Sequence, residues 1–256
     1  MRTALFTALA AALVGSGAFA LAASGGQRSG PPRVDIRAAT ARTAAAPSVH
    51  YAFTVRLDKA RQPMVLHIAG ASSRAAVSVR LRLDDLKLPD GKSLPGATGA
   101  IMLSRPFLYE EAPGGVAVFG NVRWLRLQLA GLSPRSQTLS SVRSLTPSPL
   151  LRIISEATLR PSPVPGTFAG TVSYDDPVVR TALHALGGGL EFRNLHLSVA
   201  VGRDGLIHSV RITGRTADRA TGFSLHARLY AYGAPVKVVP PKAGTFVDQD
   251  LAQLSA

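Results

Sequence analysis

The sequence predicts an α+β domain in which one large antiparallel β-sheet packs against a few amphipathic helices. From residue 48 onward apolar and polar residues alternate, as in SVHYAFTVRLD (48–58), which is typical of half-buried antiparallel strands. Turn signals recur at intervals of roughly ten residues, which favours a meander of strands over βαβ units. Two segments with apolar residues at helical spacing interrupt the strands, and the sheet is the only large apolar surface on which they can pack.

The alternation continues along most of the chain. PMVLHIAG (63–70) and AVSVRLRL (76–83) predict two strands, and FSLHARLYAYG (223–233) and PVKVVPP (235–241) predict the closing strands. Two hairpins are predicted: RPFLYEEAPGGVAVFG (105–120) turns at Pro113-Gly114-Gly115, and NLHLSVAVGRDGLIHSVRITG (194–214) turns at Asp204-Gly205.

Three helices are predicted. IRAATARTAAAP (36–47) favours a helix that Pro47 ends. SPLLRIISEA (148–157) starts with Ser148 as the N-cap and Pro149 in the first helical position. DDPVVRTALHALGGG (175–189) repeats this arrangement with Asp176 and Pro177, and its glycines suit a C-cap.

The first residues have the features of an export signal. An apolar stretch follows Arg2, and Ala18-Phe19-Ala20 has the small-x-small pattern of a cleavage site. Residues 1–23 are therefore predicted to be a signal peptide or, if they stay uncleaved, an N-terminal membrane anchor. Residues 24–36, rich in Gly, Ser and Pro, are predicted to be a linker, and residues 37–256 to form a single domain.

One tripeptide inside this segment bears on lipid attachment. Leu13-Val14-Gly15 resembles the residues that precede the lipid-modified cysteine of bacterial lipoproteins, but the next residue is Ser16. A serine hydroxyl is not the nucleophile that a thiolate is, so a covalent lipid anchor is not expected. The chain contains no cysteine, and its core must be stable without disulfides.

Composition restricts the class of partner. The chain has 29 Lys and Arg against 15 Asp and Glu, spread without a polybasic run or an interleaved aromatic platform, so no nucleic-acid ligand is expected. In an exported protein, contact with anionic lipid headgroups at a membrane surface, or with cell-wall polymers, is the expected use of this charge.

No catalytic or metal site is predicted. The six histidines lack the H-x-x-x-H and H-E-x-x-H spacings of zinc sites. His208 shares the parity of Val210 and Ile212 and is expected to face inward. In the carboxylate pair Glu110-Glu111 the two side chains are expected on opposite faces of a strand. We therefore expect neither enzyme activity nor a cofactor.

The order of elements and four segments resemble the LolA-like superfamily of exported lipid-binding proteins, and within it the mycobacterial LppX/LprG type. The segments are WLRL (124–127), VAVGRDGLIHSVRITG (199–214), LYAYGAPVKVVPP (229–241) and FVDQDL (246–251). The resemblance covers about residues 37–254 and implies a strongly curved antiparallel β half-barrel wrapped around the helices, with an apolar cavity for acyl chains. LppX/LprG relatives usually carry the lipobox cysteine that Ser16 replaces here.

The resemblance implies that the apolar faces hold the acyl chains of a lipid or glycolipid. The residues predicted to contact the lipid are Phe53, Val55, Leu66, Ile68, Val79, Leu81, Leu150, Ile153, Ile154, Val179, Leu183, Leu197, Val199 and Leu225. Arg123 and Arg126 are the candidates for contact with a headgroup, and Trp124 lies either at the rim of a groove or as a packing residue at a sheet edge.

Two alternatives stay open. The same alternating residues would fill an ordinary solid core, because a cavity wall and a core wall carry identical residues. RseB-like regulators resemble LolA, so a nonenzymatic sensor or interaction module with a protein partner in the envelope is the alternative to a lipid carrier. In either case the protein is expected in the periplasm or cell envelope, or secreted.

Overall fold

The computed structural model describes residues 34–59, 62–87, 93–111, 122–129, 142, 144–187, 191–216 and 221–249. The predicted signal peptide or anchor, most of the predicted linker and the predicted turn at Pro113-Gly114-Gly115 lie outside these residues. Across the described ranges, no helix has both the length and the apolar character needed to cross a membrane.

The described residues form three helices and twelve strands. In chain order they are α1 (Ile36–Ala45), β1 (Ser48–Lys59), β2 (Gln62–Ser73), β3 (Ala76–Lys87), β4 (Ser93–Ser104), β5 (Phe107–Glu111), β6 (Trp124–Gln128), α2 (Ser148–Glu156), β7 (Thr158–Pro161), β8 (Thr167–Val172), α3 (Pro177–Gly187), β9 (Phe192–Val201), β10 (Ile207–Thr216), β11 (Gly222–Tyr230) and β12 (Phe246–Gln249). These twelve strands belong to one sheet, in the order β12-β6-β5-β4-β3-β2-β1-β11-β10-β9-β8-β7.

The sheet consists of two meanders joined side by side. Strands β1 to β6 follow one another across one half and β7 to β11 across the other, and antiparallel pairing of β1 with β11 joins the halves. Neighbouring strands are antiparallel except β12 and β6, which are parallel. The α+β prediction is confirmed: the sheet is an open, curved half-barrel of antiparallel strands combined with helices.

The alternation of residues gives the sheet two different faces. Val55 of β1 lies beside Leu66 of β2 and Leu225 of β11, and all three are buried. Helices α2 and α3 contribute their apolar residues to the same core. We call the face that carries Val55 the inner face and the opposite one the outer face. Predicted parity is confirmed for β1, where the apolar residues lie inside.

Helix α1 is fixed to the start of β10. The hydroxyl oxygen of Thr43 accepts a hydrogen bond from the N–H of Ile207 at 3.0 Å, and the hydroxyl of Tyr232 donates to the carbonyl oxygen of Ile207. Arg42 Nη1 donates to the carbonyl oxygen of Asp204 at 3.4 Å. The predicted hairpin turn at Asp204-Gly205 is confirmed, with Gly205 at a φ of 71°. The segment before the sheet is therefore part of the domain.

Two helices begin with a carboxylate cap. Asp176 Oδ1 accepts hydrogen bonds from the N–H groups of Val178 and Val179 at 2.7 and 3.2 Å, as the sequence predicts for α3. In α1 the carboxylate of Asp35 accepts from the N–H of Arg37 at 2.9 Å. This cap and the first residue of α1 lie inside the range 24–36 that the sequence predicts as a linker.

The prediction for the start of α2 is wrong by one residue. Pro147 occupies the N-cap position and Ser148 is already helical. The hydroxyl of Thr146 donates to the hydroxyl oxygen of Ser148 at 3.3 Å and accepts from the Ser148 N–H at 3.4 Å. The Ser148 hydroxyl therefore bonds to Thr146 and not to an N–H group of the helix, and α2 has no side-chain cap.

The predicted strand PVKVVPP (235–241) is not a strand. Residues 231–245 are irregular, because the prolines at 235, 240 and 241 lack the N–H that a ladder requires. The strand that follows this segment is β12, which pairs with β6 and forms one edge of the sheet.

A cluster on the outer face attaches β12. Arg126 Nε and Nη2 donate to the two carboxylate oxygens of Asp248 at 2.5 and 2.7 Å. The guanidinium carbon lies 4.6 Å from the ring centroid of Phe107 and 4.3 Å from that of Phe246, within cation–π range. A bidentate ion pair between two aromatic rings fixes the geometry of a strand only four residues long.

Tyr51 is fully buried on the inner face. Its ring lies over Gly70 of β2, where an added Cβ would come within 2.6 Å of the Tyr51 Cζ and hydroxyl oxygen. The ring also stacks on Phe53, with 5.0 Å between centroids. The hydroxyl oxygen has no hydrogen-bond partner among the described residues, and burial raises the pKa of Tyr51, so the hydroxyl stays protonated.

We expect Tyr51→Phe to raise the free energy of unfolding by about 1 kcal/mol, because it removes a buried hydroxyl that lost its hydrogen bonds to water on folding. Urea denaturation of the two proteins measures this difference. Tyr109→Phe is the control, since the buried Tyr109 hydroxyl interacts with Arg126 on the outer face and its loss is expected to lower the stability. A clear loss of stability in Tyr51→Phe would contradict the interpretation.

Candidate functional site

The structure brings the fourteen predicted lipid-contacting residues into one apolar cluster. Thirteen of them are exposed by 8% or less, and Leu81 is half-buried against the same cluster. Their strand positions share the inner face, and those on the helices pack onto it. The sequence therefore predicts correctly which residues meet, although their contact with a lipid stays a prediction.

Burial is uneven across the inner face. On β9, β10 and β11 the apolar inner residues are almost completely inaccessible; Val199, Val210 and Ala227 are each 0% exposed. A side chain that lined open space would keep accessible surface. These residues and the most buried helix residues, such as Ile153 and Leu183, therefore touch protein atoms on all sides.

The inner face of β3 to β6 is covered less completely. Five apolar side chains there are only half-buried although they occupy inner positions: Leu81, Leu83, Ile101, Leu103 and Leu125. We call these five residues the open wall. They lie on strands β3, β4 and β6, beside the fully packed half of the sheet.

Two glycines show the same difference in packing. At Gly70, under the packed ring of Tyr51, an added Cβ would come within 2.6 Å of side-chain atoms. At Gly99, which pairs with Leu81 on the inner face of β4, an added Cβ would meet only the carbonyl oxygen of Glu111, at 3.6 Å. Among the described residues, no side chain lies within 4 Å of the Cβ added at Gly99.

A single carboxylate side chain interrupts the inner face of β5. Glu110 pairs with Ile101 on β4 and with Leu125 on β6, so apolar residues lie on both sides of it. Burial raises the pKa of Glu110, because the surrounding apolar side chains disfavour its charged form. Glu111 follows on the outer face, as the sequence predicts for neighbouring residues of a strand.

Of the two predicted headgroup arginines, Arg126 does not point to the inner face. Arg126 lies on the outer face in its ion pair with Asp248, and the exposed Arg123 precedes β6. Their role toward a headgroup stays a prediction. Trp124 shares the outer parity of Arg126 and is half-buried beside the edge strand β12, which agrees with a packing residue near the sheet edge and not with a residue at the rim of an inner groove.

The expectation that His208 faces inward is wrong. The register of β10 shifts between Ile207 and Ser209, so a bulge lets both Ile207 and Val210 face the core. His208 is turned outward by the bulge, and its Nε2 lies 2.9 Å from a carboxylate oxygen of Asp204. Period-two counting from Val210 cannot detect an inserted residue.

The other polar residues and the surface hollow of the described part of the structure do not suggest a second candidate site. Among the described residues no group of three or more His, Asp or Glu side chains is arranged to hold a metal ion. A surface hollow of about 360 Å³ lies between the end of α1 and the β2–β3 turn, lined by Ala45, Pro47, Ser73, Arg74 and Ala75. It contains none of the predicted site residues.

Sequence reasoning missed most of the open wall. Leu83, Ile101, Leu103 and Leu125 follow the same alternation as the predicted residues, but nothing in a periodic pattern tells which part of a face the helices leave uncovered. Glu110 could have been singled out from the sequence, because it is a charged residue two positions after Leu108, on the parity that carries apolar residues.

Comparison with known proteins gives only distant structural likenesses. No protein-family model and no curated protein matches the chain. Among solved structures, the chain is similar to LprF from Mycobacterium bovis, with a TM-score of 0.42 and 13% sequence identity over 80% of this chain and 94% of that one.

Two further solved structures are similar at the same coverage of this chain. The lipoprotein LppX from Mycobacterium tuberculosis has a TM-score of 0.40 and 13% identity, over 80% of this chain and 96% of LppX. A DUF1329 family protein from Desulfovibrio piger has a TM-score of 0.29 and 7% identity, over 80% and 93% of the two chains.

Proposed function

We propose that this protein binds an acyl lipid noncovalently against the inner face of its sheet and acts as an exported lipid carrier. The observation that carries the proposal is the open wall, where five inner-face apolar side chains stay half-buried and no described side chain lies within 4 Å of a Cβ added at Gly99. A contiguous apolar surface that the protein itself leaves uncovered is typical of ligand-binding grooves.

Hydrophobic burial supplies the affinity that such a carrier needs. Each methylene transferred from water contributes about 0.8 kcal/mol, so a palmitoyl-length chain would gain on the order of 12 kcal/mol against water if fully buried. Part of this is offset by the loss of freedom on binding. An open wall that covers only part of the acyl chain would bind the lipid tightly enough to carry it and weakly enough to release it.

The fully packed half of the sheet supports this function. Because β9 to β11 and the helices form a solid core, the fold does not require the open wall to be filled for its stability. Export is predicted from the first residues, and Ser16 in place of a lipobox cysteine favours a carrier that is not lipid-anchored.

The first test is direct. Native protein purified without detergent and extracted with organic solvent is expected to release lipid in an amount comparable to that of the protein, measured by mass spectrometry. Extracted protein is expected to bind a fluorescent fatty-acyl probe again. An empty extract together with no uptake of the probe would contradict the proposal and favour an interaction module with the same fold.

The second test fills the space over Gly99. Gly99→Phe places a large apolar side chain on the inner face, at a position where an added Cβ meets no described side chain within 4 Å. It is expected to weaken binding of the acyl probe by roughly tenfold or more, equivalent to excluding about two methylenes. Fluorescence titration measures the affinity.

The matched control is Thr98→Phe, which adds the same ring to an exposed position on the outer face of β4. It is expected to leave the affinity unchanged. Equal affinities for wild type and Gly99→Phe, with both proteins folded by circular dichroism, would place the acyl chain elsewhere.

The third prediction concerns the pH dependence of stability. The folded state raises the pKa of Glu110 and so binds its proton more readily than the unfolded state. The unfavourable contribution of this group is therefore absent at pH values below its ordinary pKa and grows as the pH rises through the raised pKa. The Glu110→Gln variant is therefore expected to become more stable than wild type as the pH rises through this range.

Urea denaturation across this pH range measures the difference in the free energy of unfolding. Glu111→Gln removes one carboxylate from the outer face of the same strand and controls for the loss of a charge. A constant difference between Glu110→Gln and wild type at all pH values would refute the assignment of this penalty to Glu110.

A further inference from the structure

Glu110 occupies a defined place on the open wall. It lies in one row of paired residues that crosses four strands of the inner face: Gly70 on β2, Val79 on β3, Ile101 on β4 and Glu110 on β5. Val79, two strands away, is 0% exposed, whereas Ile101 and Glu110 are half-buried. Glu110 thus lies within the open wall, between Ile101 and Leu125.

The side chains around Glu110 provide no compensating group. Its neighbours across the sheet are Ile101 and Leu125, and its neighbour on the same face of β5 is the buried Leu108. No hydrogen bond or ion pair joins the Glu110 carboxyl to another of the described residues, and burial alone shifts its pKa. A carboxyl group held among leucine and isoleucine side chains without a partner is costly for the fold.

The arginines of the adjoining strands lie on the other face. Arg80 and Arg82 of β3 alternate with the inner residues Val79 and Leu81 and are exposed, and Arg126 of β6 is paired with Asp248 outside. A ligand on the open wall would therefore meet a carboxyl group that forms no ion pair with a cation of the described residues. This arrangement is the opposite of an anion site.

We propose that Glu110 determines the specificity of the lipid site, selecting an uncharged acyl lipid that bears hydroxyl groups and discriminating against an anionic fatty acid. The inference rests on the proposed function and names the ligand class of that same site. A ligand hydroxyl donates to the carboxylate, and it exchanges hydrogen bonds with a protonated carboxyl as well. A ligand carboxylate at the same place faces an unopposed like charge in apolar surroundings.

The experiment compares two ligands with the same acyl chain. Binding of 1-monopalmitoylglycerol and of palmitate to delipidated full-length protein is measured at about pH 8, where free carboxyl groups are ionised, by displacement of the fluorescent acyl probe. Wild type is expected to bind the monoacylglycerol about tenfold more tightly, which is the effect of one charge-assisted hydrogen bond.

Two substitutions separate specificity from packing. Glu110→Leu is expected to weaken binding of 1-monopalmitoylglycerol and to strengthen binding of palmitate, each by about tenfold, so that the preference reverses. Glu110→Gln is expected to strengthen palmitate binding while it keeps most of the affinity for the monoacylglycerol, since its amide still exchanges hydrogen bonds with a hydroxyl. A merely structural role would change both ligands in the same direction.

Glu111→Gln on the outer face is the matched control, and it is expected to behave as wild type toward both ligands. If wild type binds both ligands equally, or if Glu111→Gln changes the ratio as much as Glu110→Gln, the specificity of Glu110 is refuted while the lipid site itself stands. If neither ligand nor the probe binds wild type, the proposed function fails and the inference fails with it.

Discussion

The structure depends on one constraint: a single apolar face runs across a wide sheet, and something apolar must cover it. Alternating residues on consecutive strands place that face on one side throughout, from Leu127 on β6 to Phe168 on β8. Three short helices are the covering elements among the described residues. Their apolar residues account for the complete burial of one half of the face, and the half-buried residues concentrate on the other half.

The connectivity explains why the halves differ. The meander β7 to β11 is interrupted by α3 and preceded by α2, so these helices are joined by short connections to the strands they cover. The meander β1 to β5 runs through hairpins with no helix between its strands. Helix α1 precedes β1 but is held at the other half, through Thr43 and Arg42 at the start of β10. The fold therefore places its described helical cover on one side.

The sequence predicted the faces well and their covering poorly. Period-two patterning identified Phe53, Ile68 and Leu225 as inner residues, because that parity is a property of the strand itself. How much of Leu81 or Ile101 stays accessible depends on where distant helices pack, and no local pattern records that. The candidate site was therefore predicted as a set of residues but not as a surface with a packed part and an open part.

The errors have local physical causes. One inserted residue at the bulge of β10 reverses the parity that places His208, and a periodic count cannot register it. The apolar segment around Val238 and Val239 looks like a strand, but its flanking prolines remove the N–H groups that a ladder needs. The ion pair of Arg126 could not be predicted, because its partner Asp248 is distant in the chain and follows that irregular segment.

The division of the sheet also bears on how one chain can be both stable and open. Without disulfides, stability must come from buried apolar area, and the packed half of the inner face supplies it. Under the proposed function, ligand binding on the open wall would draw on apolar area that the described part of the chain leaves half-buried, so the two free energies would come from different residues. Filling the open wall with larger apolar side chains would then be expected to stabilise the fold and weaken binding at once. The glycine at residue 99 and the carboxyl group at residue 110 both lie at inner-face positions, and neither adds apolar area to a solid core.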